Sequence, residues 1–189
     1  MRLVLMGPPG AGKGTQAVVI SSALGIPHIS TGDIFRLNVA GGTSLGIEAK
    51  RYMDAGEYVP DGVTNAMVRD RLSRDVCRPG FLLDGYPRTV EQVGELSAML
   101  RSAGEELTQV IELTVDVDEV VSRLVKRAAE QGRSDDTEDV LRRRLEVYNE
   151  QTAPLTAMYE AQDLLVRVNG MGSIDEVSAR ILDALGIAA

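Results

Sequence analysis

Apolar residues in this 189-residue chain fall into short runs separated by longer stretches of helical period. Runs at 2–6, near 27–30, and at 80–84, 109–114 and 164–168 predict β-strands. Apolar positions spaced three and four apart predict helices around 13–24, 31–41, 44–54, 61–74, 89–103, 118–130, 137–162 and 174–185. Strands alternating with helices specify the α/β class: five parallel strands with helices on both faces. Phe81-Leu82-Leu83 has no polar alternation, so it predicts a strand buried on both sides. Pro154 lacks an N–H and predicts a kink or a division of the long helical stretch. Ser173 and Glu176 have capping-box spacing at the last helix, and Gly186 can close its end.

Composition narrows the class without naming a chemistry. The length fits one lobed domain or two small ones, and 44% apolar with 25% charged residues is ordinary for a globular protein. A net charge of −8 argues against a nucleic-acid partner. Cys77, the single cysteine, cannot form an internal disulfide, and with one histidine the chain cannot build a structural zinc site. This fits a reducing cytoplasm, and Cys77 is expected to be a passive residue in a polar linker. The sequence has no membrane-length apolar run, no leader pattern, no repeat and no low-complexity tract. No heptad pattern is sustained, so a monomer is expected.

The densest chemistry follows the first strand. Gly7-Pro8-Pro9-Gly10-Ala11-Gly12-Lys13-Gly14-Thr15 lies between a strand and an amphipathic helix, the setting of a phosphate-binding loop. Glycines let successive N–H groups turn inward on a polyphosphate, and the helix N-terminus adds its own. Lys13 supplies an ammonium for the outer phosphates. The hydroxyl that helps hold nucleotide-borne Mg²⁺ is Thr15, one place later than the usual pattern, because Gly14 intervenes. The flanking strand and helix weigh against an ordinary glycine-rich surface turn.

A second run, Phe81-Leu82-Leu83-Asp84-Gly85-Tyr86-Pro87-Arg88, ends a strand on a carboxylate. Carboxyl ends of parallel strands line the ligand crevice, so Asp84 is expected to face the same opening and hold Mg²⁺ directly or through water. Residues 31–74 supply helices without a strand and suggest an insertion beside that opening. Residues 128–137 form a polar stretch whose composition favours a solvated connection over a mobile cover. Arg36, Arg88, Arg123, Arg127, Arg133 and Arg144 are spread over segments able to converge on one cleft, and the residues alone do not choose among them. His28 is expected to be structural. Phosphoryl transfer to another phosphate needs no general base, since the acceptor oxygen is already anionic near pH 7.

These runs, with Ser30-Thr31-Gly32-Asp33, Gly132-Arg133-Ser134-Asp135-Asp136 and Tyr148 through Pro154, closely resemble the motifs of adenylate kinases, in order and over essentially the whole chain. The resemblance implies reversible phosphoryl transfer from MgATP to AMP, giving two ADP. It implies a core over 1–30, 60–127 and 138–189, an AMP-binding insertion over about 31–59 and a short lid over about 128–137. By position, Gly10, Ala11, Gly12, Lys13, Gly14 and Thr15 would wrap the ATP phosphates, and Arg123, Arg127 and the backbone at Gly170-Met171-Gly172 would meet ATP. Thr31, Arg36, Glu57, Tyr58, Val59, Gly85, Tyr86, Pro87, Arg88 and Gln92 would form the AMP pocket, and Thr89 through Gln92 is also a capping-box pattern. Arg133 and Arg144 would close over the reacting phosphates, and Asp84 would organise Mg²⁺. Five residues separate Arg127 from Arg133, so the long lid and its zinc-binding cysteines are absent. Two other readings remain: a kinase of CMP or UMP, and a P-loop regulatory module that hydrolyses one nucleotide. Arg36 and Arg88, a second set of phosphate-binding candidates, argue against the second.

Overall fold

The computed structural model describes residues 1–116, 124 and 137–187. Its five strands are β1 (Arg2–Met6), β2 (His28–Ser30), β3 (Phe81–Asp84), β4 (Gln109–Thr114) and β5 (Leu165–Asn169). They form one parallel sheet in the order β2-β3-β1-β4-β5. Each lies within a residue of its predicted position.

The sheet's two faces follow from strand parity, since successive side chains point to opposite sides. Register sets Val4 beside Leu83 and Val110. These three pack under Val93, Leu96 and Leu100 of α5 (Val90–Ser102) and Leu155 of α7 (Leu155–Glu160). The alternate residues Leu3, Leu5, Leu82 and Ile111 face the other way, onto Ala17 and Ile20 of α1 (Lys13–Leu24) and Val177 and Ile181 of α8 (Ile174–Ala184). Each fully buried leucine or valine contributes about 1.5–3 kcal/mol. A one-residue slip would exchange the two sets, so packing pins the register.

Helices α2 (Thr31–Ala40) and α3 (Ser44–Ala55) follow β2 without an intervening strand. They pack on each other around Phe35, Ala49 and Val59. Ser30 and Thr43 cap them, their hydroxyls accepting from Asp33 N and Gly46 N. Helix α4 (Asp61–Leu72) leads on to β3. The Ser173–Glu176 capping box forms as expected, and beyond α8 Gly186 takes φ 70° while Gly186 N and Ile187 N donate to Asp183 O and Leu182 O. Among the described residues no helix is long and apolar enough to cross a membrane.

One expectation is met and two change. The stretch over 137–162, predicted to be kinked or divided at Pro154, is α6 (Glu138–Val147), a π-helical turn (Tyr148–Thr152) and α7, with Pro154 as the N-cap of α7. Thus Pro154 divides the helix, as its missing N–H requires. Cys77 is not in a passive linker: it is 3% exposed, in a short 3₁₀ turn (Asp75–Cys77), and packs with Phe81 and Leu100 in the core. Its thiol donates to Arg71 O at 3.3 Å, and burial pushes its pKa up. The Thr89 capping box is half formed: Thr89 Oγ1 accepts from Gln92 N, but the Gln92 side chain bonds elsewhere. The predicted helix over 118–130 and polar stretch over 128–137 lie outside the described residues, except Leu124, buried against Leu141, and Thr137.

Candidate active site

Register brings the two motifs together. Leu5 pairs with Asp84 at the carboxyl ends of β1 and β3, so the loop leaving β1 rises beside the Asp84 carboxylate. Gly10 and Gly12 have φ near +85°, a conformation that favours glycine, and Gly12 is the N-cap of α1. The chain therefore turns sharply into a helix whose first N–H groups have no intrahelical partner. Lys13 Nζ folds back over the loop and donates to Gly7 O at 2.7 Å and Pro8 O at 2.9 Å. This holds its cation at the rim of an anion-binding concavity.

The opening is a cavity of about 1040 Å³. Gly10 through Thr15 line it, together with Gly170 and Gly172. Thr31, Arg36, Glu57, Tyr58, Val59, Gly85, Pro87, Arg88, Gln92 and Arg144 also line it, with Asp84. Tyr86 differs: its side chain is 1% exposed in the core, where its hydroxyl donates to Asn65 Oδ1 at 2.9 Å, which leaves only backbone for a ligand contact. Burial raises the Tyr86 pKa, so the phenol stays neutral. Arg123, Arg127 and Arg133 lie outside the described residues.

The second group of cations is held in place by neighbours. Arg88 Nε donates to Gly85 O at 2.7 Å, and its guanidinium lies 4.8 Å from the centre of the Tyr58 ring. Thr152 Oγ1 donates to Arg88 O at 2.9 Å, so the 2.7 Å contact between Tyr58 and Thr152 must have the tyrosine as donor. Thr31 Oγ1 donates to Gly85 O at 2.8 Å. Gly85 has φ +79°, and a Cβ there would stand 2.7 Å from Arg88 Nη2 and 2.9 Å from Thr31 Oγ1, so this turn requires glycine. Arg36 Nη2 pairs with Asp33 Oδ1 at 2.5 Å. Glu57 accepts from Arg143 Nε at 2.7 Å, tying the end of α3 to α6.

Gln92 is buried, its Oε1 accepting from Arg88 N at 2.7 Å and its Nε2 donating to Asp61 Oδ1 at 2.6 Å. Among the described residues these two bonds use one of the amide's two donors and one of its two lone pairs. Asp84 is 8% exposed and lies 3.8 Å from where a Cβ on Gly14 would be. His28 Nε2 lies 3.7 Å from Asp84 Oδ2 and is buried without a hydrogen-bond partner among the described residues.

His28 also lines the cavity, as do Gln16, Met53, Thr64, Tyr148 and Thr152, none of which the sequence reading gave a site role. Tyr148 and Thr152 belong to a recognised motif, which was the available signal. Gln16 directly follows the loop residue Thr15, and His28, Met53 and Thr64 reach the cavity through tertiary packing. Burial pushes the Tyr148 phenol above its ordinary range, so it is neutral in the site.

A parallel sheet with a glycine loop after its central strand, opening on a cavity with further cations, defines a P-loop phosphotransferase. The family profile described as "Adenylate kinase" matches residues 5–164. The chain is 62% identical to the adenylate kinase of Nocardioides sp. over 99% of its own length and 98% of the relative's. It is likewise 62% identical to that of Kocuria rhizophila, over 97% of the chain and 98% of the relative. Against that of Thermobifida fusca identity is 56%, over 98% of each chain. The chain belongs to the adenylate kinase family, and it is an enzyme of phosphoryl transfer between ATP and AMP.

Proposed function

We propose that the two parts of the cavity hold the two nucleotides end to end, ATP on the phosphate loop and AMP beside Arg36 and Arg88. The observation that carries this reading is that both cation groups line one continuous cavity of about 1040 Å³, at the top of the range for a single small-ligand site. The residues then act by alignment and charge neutralisation. Loop N–H groups and Lys13 cradle the donor phosphates, and Lys13 reaches the group being transferred. Arg88, held by Gly85 O and Tyr58, presents its remaining guanidinium N–H groups to the AMP phosphate with Arg36. Thr31, Val59, Gln92 and the backbone of 57–59 enclose the acceptor base and ribose. Gly170 to Gly172 carry the ATP base. Arg144 draws charge from the reacting phosphates. On the strength of motif order alone, Arg133 joins it from a short lid over about 128–137, while Arg123 meets ATP near the base and Arg127 near the phosphates; the AMP-binding insertion spans about 31–59.

Mg²⁺ is held in such sites by one or two carboxylates together with substrate phosphates. Asp84 fits that donor set, being a carboxylate on the cavity wall beside Gly14 of the phosphate loop. Thr15, on the same wall, offers its hydroxyl. Asp84 and Thr15 would hold the ion with the nucleotide, and it would supply neutralisation of charge developing on the phosphates. We place the enzyme in the cytoplasm, since its one cysteine is a buried free thiol. We take it to act as a monomer, because one chain supplies both cation groups.

An acceptor screen with ATP and AMP, CMP, UMP or GMP tests the assignment of the second site. AMP is expected to lead the others by about 10²-fold in kcat/KM, the scale at which pocket contacts discriminate. A preference for CMP would overturn it.

A further inference from the structure

Gln16 has no place in the site as the motifs describe it, yet it is 3% exposed and lines the cavity one residue beyond Thr15. Its Nε2 donates to Ile174 O at 3.0 Å. Its Oε1 accepts from Ser178 Oγ at 2.7 Å. The orientation is fixed, because a backbone carbonyl can only accept. Both partners lie in α8, and Ile174 is two residues past Gly172.

The segment before α8 is fastened to that helix. Arg180 Nη1 donates to Asn169 O at 3.0 Å and Met171 O at 2.5 Å. Met171 N donates to Asn169 Oδ1 at 2.9 Å, and the Ser173–Glu176 capping box closes the turn. Residues 169–173 therefore move with α8. Between α1 and α8 the apolar contacts of Ala17 and Ile20 with Val177 and Ile181 are non-directional and set no register. Hydrogen bonds do, and Gln16 makes two of them.

We infer that Gln16 is a positioning residue for the donor nucleotide, setting the span between the phosphate loop and the backbone that meets the ATP base. This rests on the reading that the base meets Gly170–Gly172. A ligand that touches both ends senses the span, whereas a bare polyphosphate or AMP does not.

The test is equilibrium binding of ATP, inorganic tripolyphosphate and AMP to the full chain and to Gln16→Met, which keeps side-chain length but cannot bond Ile174 O. In that variant the Ser178 hydroxyl, its single proton no longer taken by Gln16 Oε1, can turn to Ile174 O, 2.9 Å away, which favours retention of the fold. ATP is expected to bind about 10-fold more weakly, because displacing a positioned group by about an ångström costs on that scale or more. Tripolyphosphate and AMP should be unchanged. Ser178→Ala, which leaves the Gln16–Ile174 bond, should cost ATP less than Gln16→Met does. If Gln16→Met weakens all three ligands alike, its role is structural and the inference fails. Gly172→Ala separates the remaining outcomes, because Gly172 has φ +111° and a Cβ there would stand 2.7 Å from Glu176 Oε2, displacing the turn. ATP weakened by Gly172→Ala but not by Gln16→Met would refute the role of Gln16 and keep the base site. ATP weakened by neither would remove the base site and the inference with it.

Discussion

Replacing Lys13 by methionine is expected to lower turnover by about 10³-fold, the scale on which removing one preorganised cation or donor acts on charge developing in a transition state. The ammonium is fixed before any ligand arrives, through Gly7 O and Pro8 O. Ordering it during the reaction therefore costs little, and inside a cleft its field is screened less than in water. Methionine keeps most of the side chain's length and loses the charge. Lys13 belongs to none of the buried clusters that hold the sheet, so the fold should survive. Single-turnover rates beside thermal melts would check both halves of this expectation. Near-normal turnover would refute the role of Lys13.

Arg88→Ala is expected to lower kcat/KM for AMP by about 10²- to 10³-fold, as truncating one partner of a close ionic contact does, and to leave the KM for ATP unchanged. Arg88 is presented by a rigid frame: Gly85 O takes its Nε, Tyr58 stacks below it and Thr152 holds its carbonyl. Its side chain therefore has little orientational freedom to lose on binding. Arg88→Lys keeps the charge but gives up the planar fork and the fit to Tyr58, so an intermediate loss is expected. Initial rates with each nucleotide varied in turn would show the asymmetry. Equal loss for both nucleotides would place Arg88 outside the acceptor half.

The strands were legible because a strand buried on both faces must be continuously apolar, as in Leu3 to Met6 and Phe81 to Leu83. The phosphate loop was legible because its glycines, Lys13 and flanking elements are local in sequence. Asp84 was placed by the rule that ligands gather at strand carboxyl ends, and the pairing of Leu5 with Asp84 sets it beside the loop. What composition hid was long-range. Cys77 lies in a sequence stretch with Arg74, Asp75 and Arg78, yet its turn folds it into the core with Phe81. Gln16 gains its importance from Ser178, 162 residues away. The pairing of Tyr58 with Thr152 spans 94 residues. For the arginines, spacing says which share a helix face but not which enter a cleft. Among the described candidates the structure brings Arg36, Arg88 and Arg144 to the cavity wall.

The most direct test is a crystal structure of the enzyme with two adenosines joined by a polyphosphate chain. One base should lie on Gly170–Gly172 and the other beside Val59 and Gln92, with Lys13 on the donor side of the chain and Arg36 and Arg88 on the acceptor side. A single occupied pocket, with Arg36 and Arg88 turned out to solvent, would contradict the account.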